Sequence, residues 1–272
     1  MAKVLILGST GMLGSAIGNY FLNDTDHDVY LTFKNENVSY GNKKYYFDPL
    51  VNGFHYDVWF GKYDYVINAI GIIKPYMKSS IANAIELNSL FPHKLAKFCK
   101  DRDMKLIHIT TDCVYSGFNG PYKESDESNA LDEYGKSKSL GEPIDNAMVI
   151  RTSIVGEEIH KNASLVSWVK KQKNSKIKGF TNHYWNGITT KQYGKICAQI
   201  IKEDLYEEGL FHVFSNDINK FEMMNVFNNK WDLNINISAF EASSEIDRRL
   251  RTTKNLNGKL NIPTFEEMIK EL

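Results

Sequence analysis

The chain has 272 residues, 42% of them hydrophobic and 24% charged, and its 33 basic side chains balance 33 acidic ones. That composition is globular, with room for one large domain or two modest ones, and a net charge of zero provides no field to gather nucleic acid. Three cysteines (Cys99, Cys113, Cys197), odd in number and without a Cys-x-x-Cys pair, speak against a disulfide framework or a zinc site, and no apolar run reaches signal or membrane-spanning length, so a soluble cytoplasmic protein is expected.

Lys3 to Leu7 is a short apolar run that breaks into GSTGMLG (Gly8, Ser9, Thr10, Gly11, Met12, Leu13, Gly14), and a helical pattern with Ala16, Ile17, Tyr20 and Phe21 follows directly. Strand, glycine turn and helix in that order form a diphosphate cradle: glycines let the backbone approach closely, and the first N–H groups of the helix face the anion. His27 to Phe33 is the natural second strand. An acidic residue at its end would grip the ribose hydroxyl of NAD, but the end reads Phe33-Lys34-Asn35, with no carboxylate before Glu36. NADPH is therefore expected, with Lys34 on the 2′-phosphate and NADH as the alternative.

Tyr45 to Phe47 suggests a third strand, whose terminal Asp48 would face the adenine. Tyr65 to Ile67 runs into Asn68, Ala69, Ile70 and Gly71, small enough to pass under a cofactor. Ser80 to Lys100 is amphipathic at helical spacing and carries Asn88 in its middle, a further cofactor candidate together with Arg151. Leu106 to Ile109 reads as a buried strand leading to Thr111, Asp112 and Cys113. Beyond it, Tyr134 and Lys138 lie four apart, on one face of a helix. The ammonium beside the phenol is expected to lower the phenol's pKa, giving an acid/base for carbonyl and alcohol chemistry. Cys113, two residues past Thr111 on an extended strand end, should point to the same side as the Thr hydroxyl.

Met148 to Ile150 and Arg151-Thr152-Ser153-Ile154-Val155-Gly156 close the regular alternation of strands and helices. This alternation implies an α/β fold, a Rossmann-type doubly wound parallel sheet with its crevice at the strands' carboxyl ends. The expected domains are a cofactor-binding unit over 1–156, with helices at 187–203 and 263–272 packing back on it, and a smaller C-terminal substrate unit over 157–186 and 205–257. Within that unit Trp185, Asn186 and Arg248 are the expected substrate contacts, because an aromatic can stack on a sugar or base and an Arg can clamp a diphosphate.

GSTGMLG, NAIG, TTDCVYSG, YGKSK, RTSIVG and WNGITT occur in the order seen in extended short-chain dehydrogenase/reductases, and across nearly the whole chain the sequence most resembles the dTDP-4-dehydrorhamnose reductase family. The resemblance implies a nucleotide-sugar reductase that uses Thr111, Tyr134 and Lys138 on a nucleotide-diphosphate 4-keto-6-deoxy sugar, with a homodimer as a compatible assembly and no membrane or nucleic-acid partner. Two positions depart from it. Cys113 stands where those reductases carry an aromatic, and so also resembles the Ser-x-Cys-hydrophobic-Tyr pattern of GDP-fucose synthase, which implies epimerisation next to the keto group, with His160 or His183 as second acid/base. Trp185 replaces an expected polar residue. A cupin-like epimerase domain, fused in some related reductases, is not expected with this chain. The alternatives are thus a bifunctional epimerase/reductase, or a non-catalytic redox-sensing regulator that keeps the dinucleotide fold.

Overall fold

A computed structural model describes residues 1–34, 41–51, 61–158 and 164–272. The large lobe begins with β1 (Lys3–Leu7), α1 (Met12–Asp24), β2 (Asp28–Phe33), β3 (Lys44–Tyr46) and β4 (Tyr65–Asn68). Next come α2 (Lys74–Met77), α3 (Ile81–Ile85), a π-turn at Glu86–Leu90, α4 (Phe91–Lys100) and β5 (Lys105–Thr111). After a 3-10 turn at Asp112–Val114 follow α5 (Glu133–Ser139), β6 (Met148–Thr152) and β7 (Ile154–Val155). The remainder is α6 (Leu165–Lys170), β8 (Lys176–Phe180), β9 (His183–Trp185), β10 (Ile188–Thr189), α7 (Thr190–Lys202), β11 (Gly209–His212), β12 (Ile218–Asn219), α8 (Lys220–Trp231), β13 (Asn236–Phe240), β14 (Ile246–Asp247), α9 (Leu256–Lys259) and α10 (Phe265–Lys270).

The main sheet has seven strands in the order β3-β2-β1-β4-β5-β6-β11, and every pairing in it is parallel. Strand order reverses between β1 and β4, and a crevice opens at such a switch point beside the carboxyl ends. Period-two alternation divides β1 between the two faces. Val4 and Ile6 pack with the buried side of α1 and α7, while Leu5 and Leu7 pack with Phe91, Leu95 and Cys99 of α4. Gly194 allows α7 to lie close on α1, since a Cβ there would stand 3.2 Å from the Cβ of Tyr20.

Two details differ from the sequence reading. The expected helix over 80–100 is interrupted by the π-turn because Pro92 has no N–H to offer the carbonyl of Asn88. That carbonyl turns instead against Gly141, where a Cβ would lie 1.7 Å away. Residues 209–212 fall inside the expected substrate unit but form the seventh strand of the main sheet, paired with β6 from Gly209↔Met148 to His212↔Arg151.

The small lobe is built on the three-stranded sheet β12-β9-β14 and the parallel pair β13-β8. Its core gathers Trp185, Met223, Met224, Phe227 and Ile235. Phe265 and Ile269 of α10 join this core, while Met268 of the same helix joins the large lobe. Among the described residues, no helix is long and apolar enough to cross a membrane.

Candidate active site

Three strand ends and two helices meet at the crevice. After β1 the chain turns at Gly8 with φ 77°, a conformation side chains rarely adopt, and an added Cβ would sit 3.0 Å from Ile70. At Gly14 a Cβ would lie 2.1 Å from the Gly8 carbonyl, so the turn and the first turn of α1 are pressed together. Ser9 locks the turn to β2: its hydroxyl donates to Ile6 O, and Thr32 N donates to it at 3.0 Å. Helix α1 begins on Gly11 with no side-chain cap; α2, α4 and α9 also lack one, and of these helices only α1 starts directly behind the glycine turn. An uncapped helix start behind a glycine turn fits a dinucleotide diphosphate.

Lys34 and Asp48, expected on the 2′-phosphate and the adenine, form an ion pair with each other at 2.8 Å across the ends of β2 and β3. Asn35 and Glu36, which entered that argument, lie outside the described residues. Asn68 is buried at the end of β4, with its Nδ2 3.1 Å from His108 Nδ1 and its Oδ1 accepting from Ile70 N at 3.1 Å, which fixes the Ala69–Gly71 turn. At Gly71 a Cβ would stand 3.7 Å from the Lys138 ammonium, so the turn passes beside α5.

Asn88 does not reach out to a cofactor. Its amide is committed to the protein, accepting from Ile72 N at 2.8 Å and donating to Ile72 O at 2.9 Å and to Ser137 Oγ at 3.1 Å. It therefore positions the 70–72 turn against α5. Arg151 is a second correction: it is buried, its Nε donates to Glu142 at 3.0 Å, and its Nη1 contacts the Tyr115 hydroxyl and His212 Nε2. A guanidinium so enclosed holds β6, β11 and the chain after α5 together.

At the corner where β5 meets α5, Asp132 caps α5 by accepting from Gly135 N at 2.8 Å. Thr111 ends β5; its hydroxyl accepts from Cys113 N at 3.1 Å and donates to Asp112, and it is near enough to Tyr134 to act on the phenol's pKa. Lys138 is buried and donates from Nζ to Ile109 O at 3.2 Å. Burial lowers its pKa to about 8, with Glu142 opposing. The expected lowering of the phenol by this ammonium is not what the structure shows. Burial, then Cys113, hold Tyr134 well above its ordinary range, while Thr111 opposes. A protonated phenol at neutral pH is an acid ready to donate, which suits the reducing direction.

The strand alternation expected to place Cys113 stops short of it. Thr111 captures the Cys113 amide and folds Asp112–Val114 into a 3-10 turn. The thiol nevertheless lies within the field of Tyr134. Burial and Asp112 push it up to about 11, Lys74, Arg248 and Thr111 opposing, so the thiolate that the epimerase reading needs is disfavoured. His183 stacks on Phe180 with ring centroids 4.5 Å apart; His160 lies outside the described residues.

In the small lobe Trp185 is core, packed edge-on against Phe265 at 5.2 Å, rather than a substrate platform. Asn186 is buried as well, exchanging hydrogen bonds with Leu250 O and Leu250 N, both at 2.9 Å. Arg248 does reach the corner that holds Cys113 and Asp132. Its Nε donates to Tyr115 O at 3.0 Å and its Nη2 to Ser116 O at 2.9 Å, and its charge is felt at Cys113 and Asp132. Sequence reasoning missed Asp132 and Lys74. An Asp three residues ahead of Gly135 is a readable helix-capping signal; Lys74 arrives through tertiary packing and has none.

Residues 2–261 match the family described as RmlD substrate binding domain. Methionine adenosyltransferase 2 subunit beta of Bos taurus is 27% identical over 236 residues, covering 81% of this chain and 70% of that protein. A dTDP-4-dehydrorhamnose reductase of Aggregatibacter actinomycetemcomitans is 25% identical over 224 residues, covering 78% and 73%. Among solved structures, dTDP-4-dehydrorhamnose reductase of Bacillus anthracis in complex with NADP has a TM-score of 0.76 at 19% identity, covering 100% of this chain and 98% of that one, a likeness of fold.

Proposed function

Because the chain belongs to the RmlD substrate binding domain family, we propose that it reduces the C4 keto group of a nucleotide-linked 4-keto-6-deoxy sugar with NADPH. The observation that carries this reading is the meeting of Thr111, Tyr134 and Lys138 at the carboxyl end of β5, beside the uncapped start of α1. The glycine turn Gly8–Gly14 and α1 would hold the diphosphate, the 68–71 turn would pass under the cofactor, and Lys138 would reach the nicotinamide ribose. NADPH, when bound, supplies the hydride. Thr111 positions the carbonyl oxygen by hydrogen bonding, and Tyr134 gives its proton to the oxygen as negative charge develops there. The protein's own contribution is thus a desolvated proton donor and a fixed carbonyl.

Preference for NADPH over NADH rests on Lys34. A 2′-phosphate there would compete with Asp48 for the ammonium, which makes the preference modest. Fluorescence titration with both cofactors measures it.

A second reading has one specific observation in its favour: a curated relative is named as a subunit of methionine adenosyltransferase, an enzyme of different chemistry. In that reading the fold binds the dinucleotide and regulates a partner. Turnover of NADPH against a panel of dTDP-, UDP- and GDP-4-keto-6-deoxy sugars, followed by mass spectrometry, separates the two. Reduction of one member supports the reductase; tight NADPH binding with no turnover across the panel favours the regulator.

A further inference from the structure

His108 sits in the middle of β5 and is completely buried, and nothing in the reaction above uses it. Its neighbours fix which ring nitrogen carries the proton. In the parallel register His108 stands opposite Asn68, the last residue of β4, and the two side chains meet on one face of the sheet. The backbone N–H of Ile70 can only donate, so the Asn68 atom that it meets at 3.1 Å is the amide oxygen. That leaves the Asn68 amide nitrogen, a donor only, against His108 Nδ1 at 3.1 Å. Nδ1 therefore accepts, and the single proton of the neutral ring is on Nε2.

A charged ring would carry a second proton on Nδ1 and drive it against the Asn68 amide hydrogens. The surroundings disfavour that form too. Burial, then Lys138 of α5 and His93 of α4, hold the ring's pKa well below its ordinary value, with the Gly141 backbone opposing. Nε2 stands beside Gly141, two residues past the end of α5, without closing a hydrogen bond to it.

Asn68 carries this constraint to the crevice. Pairing of β4 with β5 ends at Asn68↔His108, and beyond it the chain is held by Ala69 N donating to Leu7 O and by the Asn68 oxygen on Ile70 N. The segment so braced touches both halves of the candidate site. A Cβ on Gly8 would lie 3.3 Å from the Ala69 carbonyl oxygen, and one on Gly71 would lie 3.7 Å from the Lys138 ammonium. An Asn68 amide without His108 is free to rotate, and its rotation takes the acceptor away from Ile70 N.

We propose that His108 is a positioning residue for the cofactor: its bare Nδ1 locks the Asn68 amide and, through it, holds the 68–71 turn in the orientation that receives the dinucleotide. This rests on the cofactor-binding part of the reading above and deepens it.

Two measurements on the full chain test the proposal. Ring-nitrogen NMR signals, with those of His108 identified by their loss in His108→Asn, should show a bare Nδ1 and a protonated Nε2 at neutral pH. A proton on Nδ1 overturns the proposal, and this holds even where other variants fail to fold. Fluorescence titration with NADPH reads the consequence. His108→Leu fills much of the same space without an acceptor, and NADPH affinity should fall about tenfold, within the range for a buried donor left unpaired. His108→Asn, whose side-chain oxygen can stand in for Nδ1, should recover most of that loss. Made in an Asn68→Ala chain, His108→Leu should change the affinity about twofold at most, because its effect passes through Asn68. Thermal unfolding of the unliganded variants separates positioning from packing. A His108→Leu chain that loses stability but binds NADPH normally, a His108→Asn chain as weak as His108→Leu, or losses that multiply in the double variant each overturn the positioning role and leave the cofactor reading intact. An unmodified chain that binds neither NADPH nor NADH removes the cofactor reading and the role of His108 with it.

Discussion

The candidate corner at the end of β5 and the small lobe hold their candidate side chains in different ways. In the corner, Thr111, Tyr134 and Lys138 come from one strand end and one short helix, and Asp132 caps that helix from the residue before it. In the small lobe, the side chains that stand out in the sequence, Trp185 and Asn186, are turned inward, and the cation that reaches the corner, Arg248, follows β14, which pairs with β9. Spacing along one element passes directly into geometry. Pairing between distant elements decides which face a side chain presents, and spacing does not carry that information.

The largest expected effect breaks the corner. Tyr134→Phe removes the proton donor and leaves the ring in place, so NADPH binding should persist while turnover falls by about 10² to 10⁴, the usual contribution of general acid catalysis. Stopped-flow and steady-state measurements on the substrate identified by the panel check it; near-normal turnover removes Tyr134 from the chemistry.

A comparable free-energy change, but in stability, is expected from the small lobe. Trp185→Ala empties the space against Phe265 and Lys220, and truncating a buried aromatic typically costs about 3–5 kcal/mol. Thermal and denaturant unfolding measure it. A variant of normal stability whose KM for the sugar nucleotide rises would return Trp185 to the substrate surface and erase the contrast between the lobes.

The fold was legible because its signals are local and repeated. Gly8, Asn68 and Thr111 each follow an apolar strand, and all three strand ends do meet at the crevice of a parallel sheet. Residues whose roles depend on depth were not legible. Nothing in the string RTSIVG tells that Arg151 is enclosed by Glu142, Tyr115 and His212, because its partners lie 9, 36 and 61 positions away. The phenol pKa was misread for a related reason: Tyr-x-x-x-Lys spacing puts the two side chains on one face, but burial of the phenol and the bond from Lys138 to Ile109 O outweigh their nearness. The small-residue strand end at Asn68–Gly71 was readable, whereas the Asn88 clamp that fixes it came from a π-turn created by a proline four residues on.

A smaller effect sharpens the account of the corner through pH. Burial lowers the Lys138 pKa from 10.5 to about 8. Between these values the unfolded chain holds a proton that the folded chain has released, so stability rises with pH across that window and the full cost of burying the ammonium is present below it. Function runs the other way. On the proposed reading, the charge that Lys138 would offer to the cofactor ribose disappears as pH rises through about 8, so kcat/KM should fall on the alkaline side with a midpoint near that value. In Lys138→Met, kcat/KM should be low and lack that alkaline limb. A limb of unchanged midpoint in the variant would assign it to another group.

The smallest expected effect concerns Cys113. With its pKa pushed up to about 11, only about one thiol in 10⁴ is ionised at pH 7, too few for an efficient base toward a sugar C–H. The thiol lies within the field of Tyr134, so nearness alone does not dispose of the epimerase alternative; protonation state weighs against it. Incubating the chain with the 4-keto sugar in D₂O, without NADPH, should bring no deuterium into C3 or C5, and Cys113→Ser should reduce the ketone about as well as the unmodified chain. Deuterium wash-in that vanishes in Cys113→Ser would require substrate binding to drop the thiol pKa by several units. The groups able to do that are the cations already facing it, Lys74 and Arg248, which lower its pKa in the structure but are outweighed by burial and Asp112. A wash-in rate rising with pH toward 11 would show a thiol that acts as base without this help, whereas no wash-in would leave any epimerised ketone to be supplied by another protein.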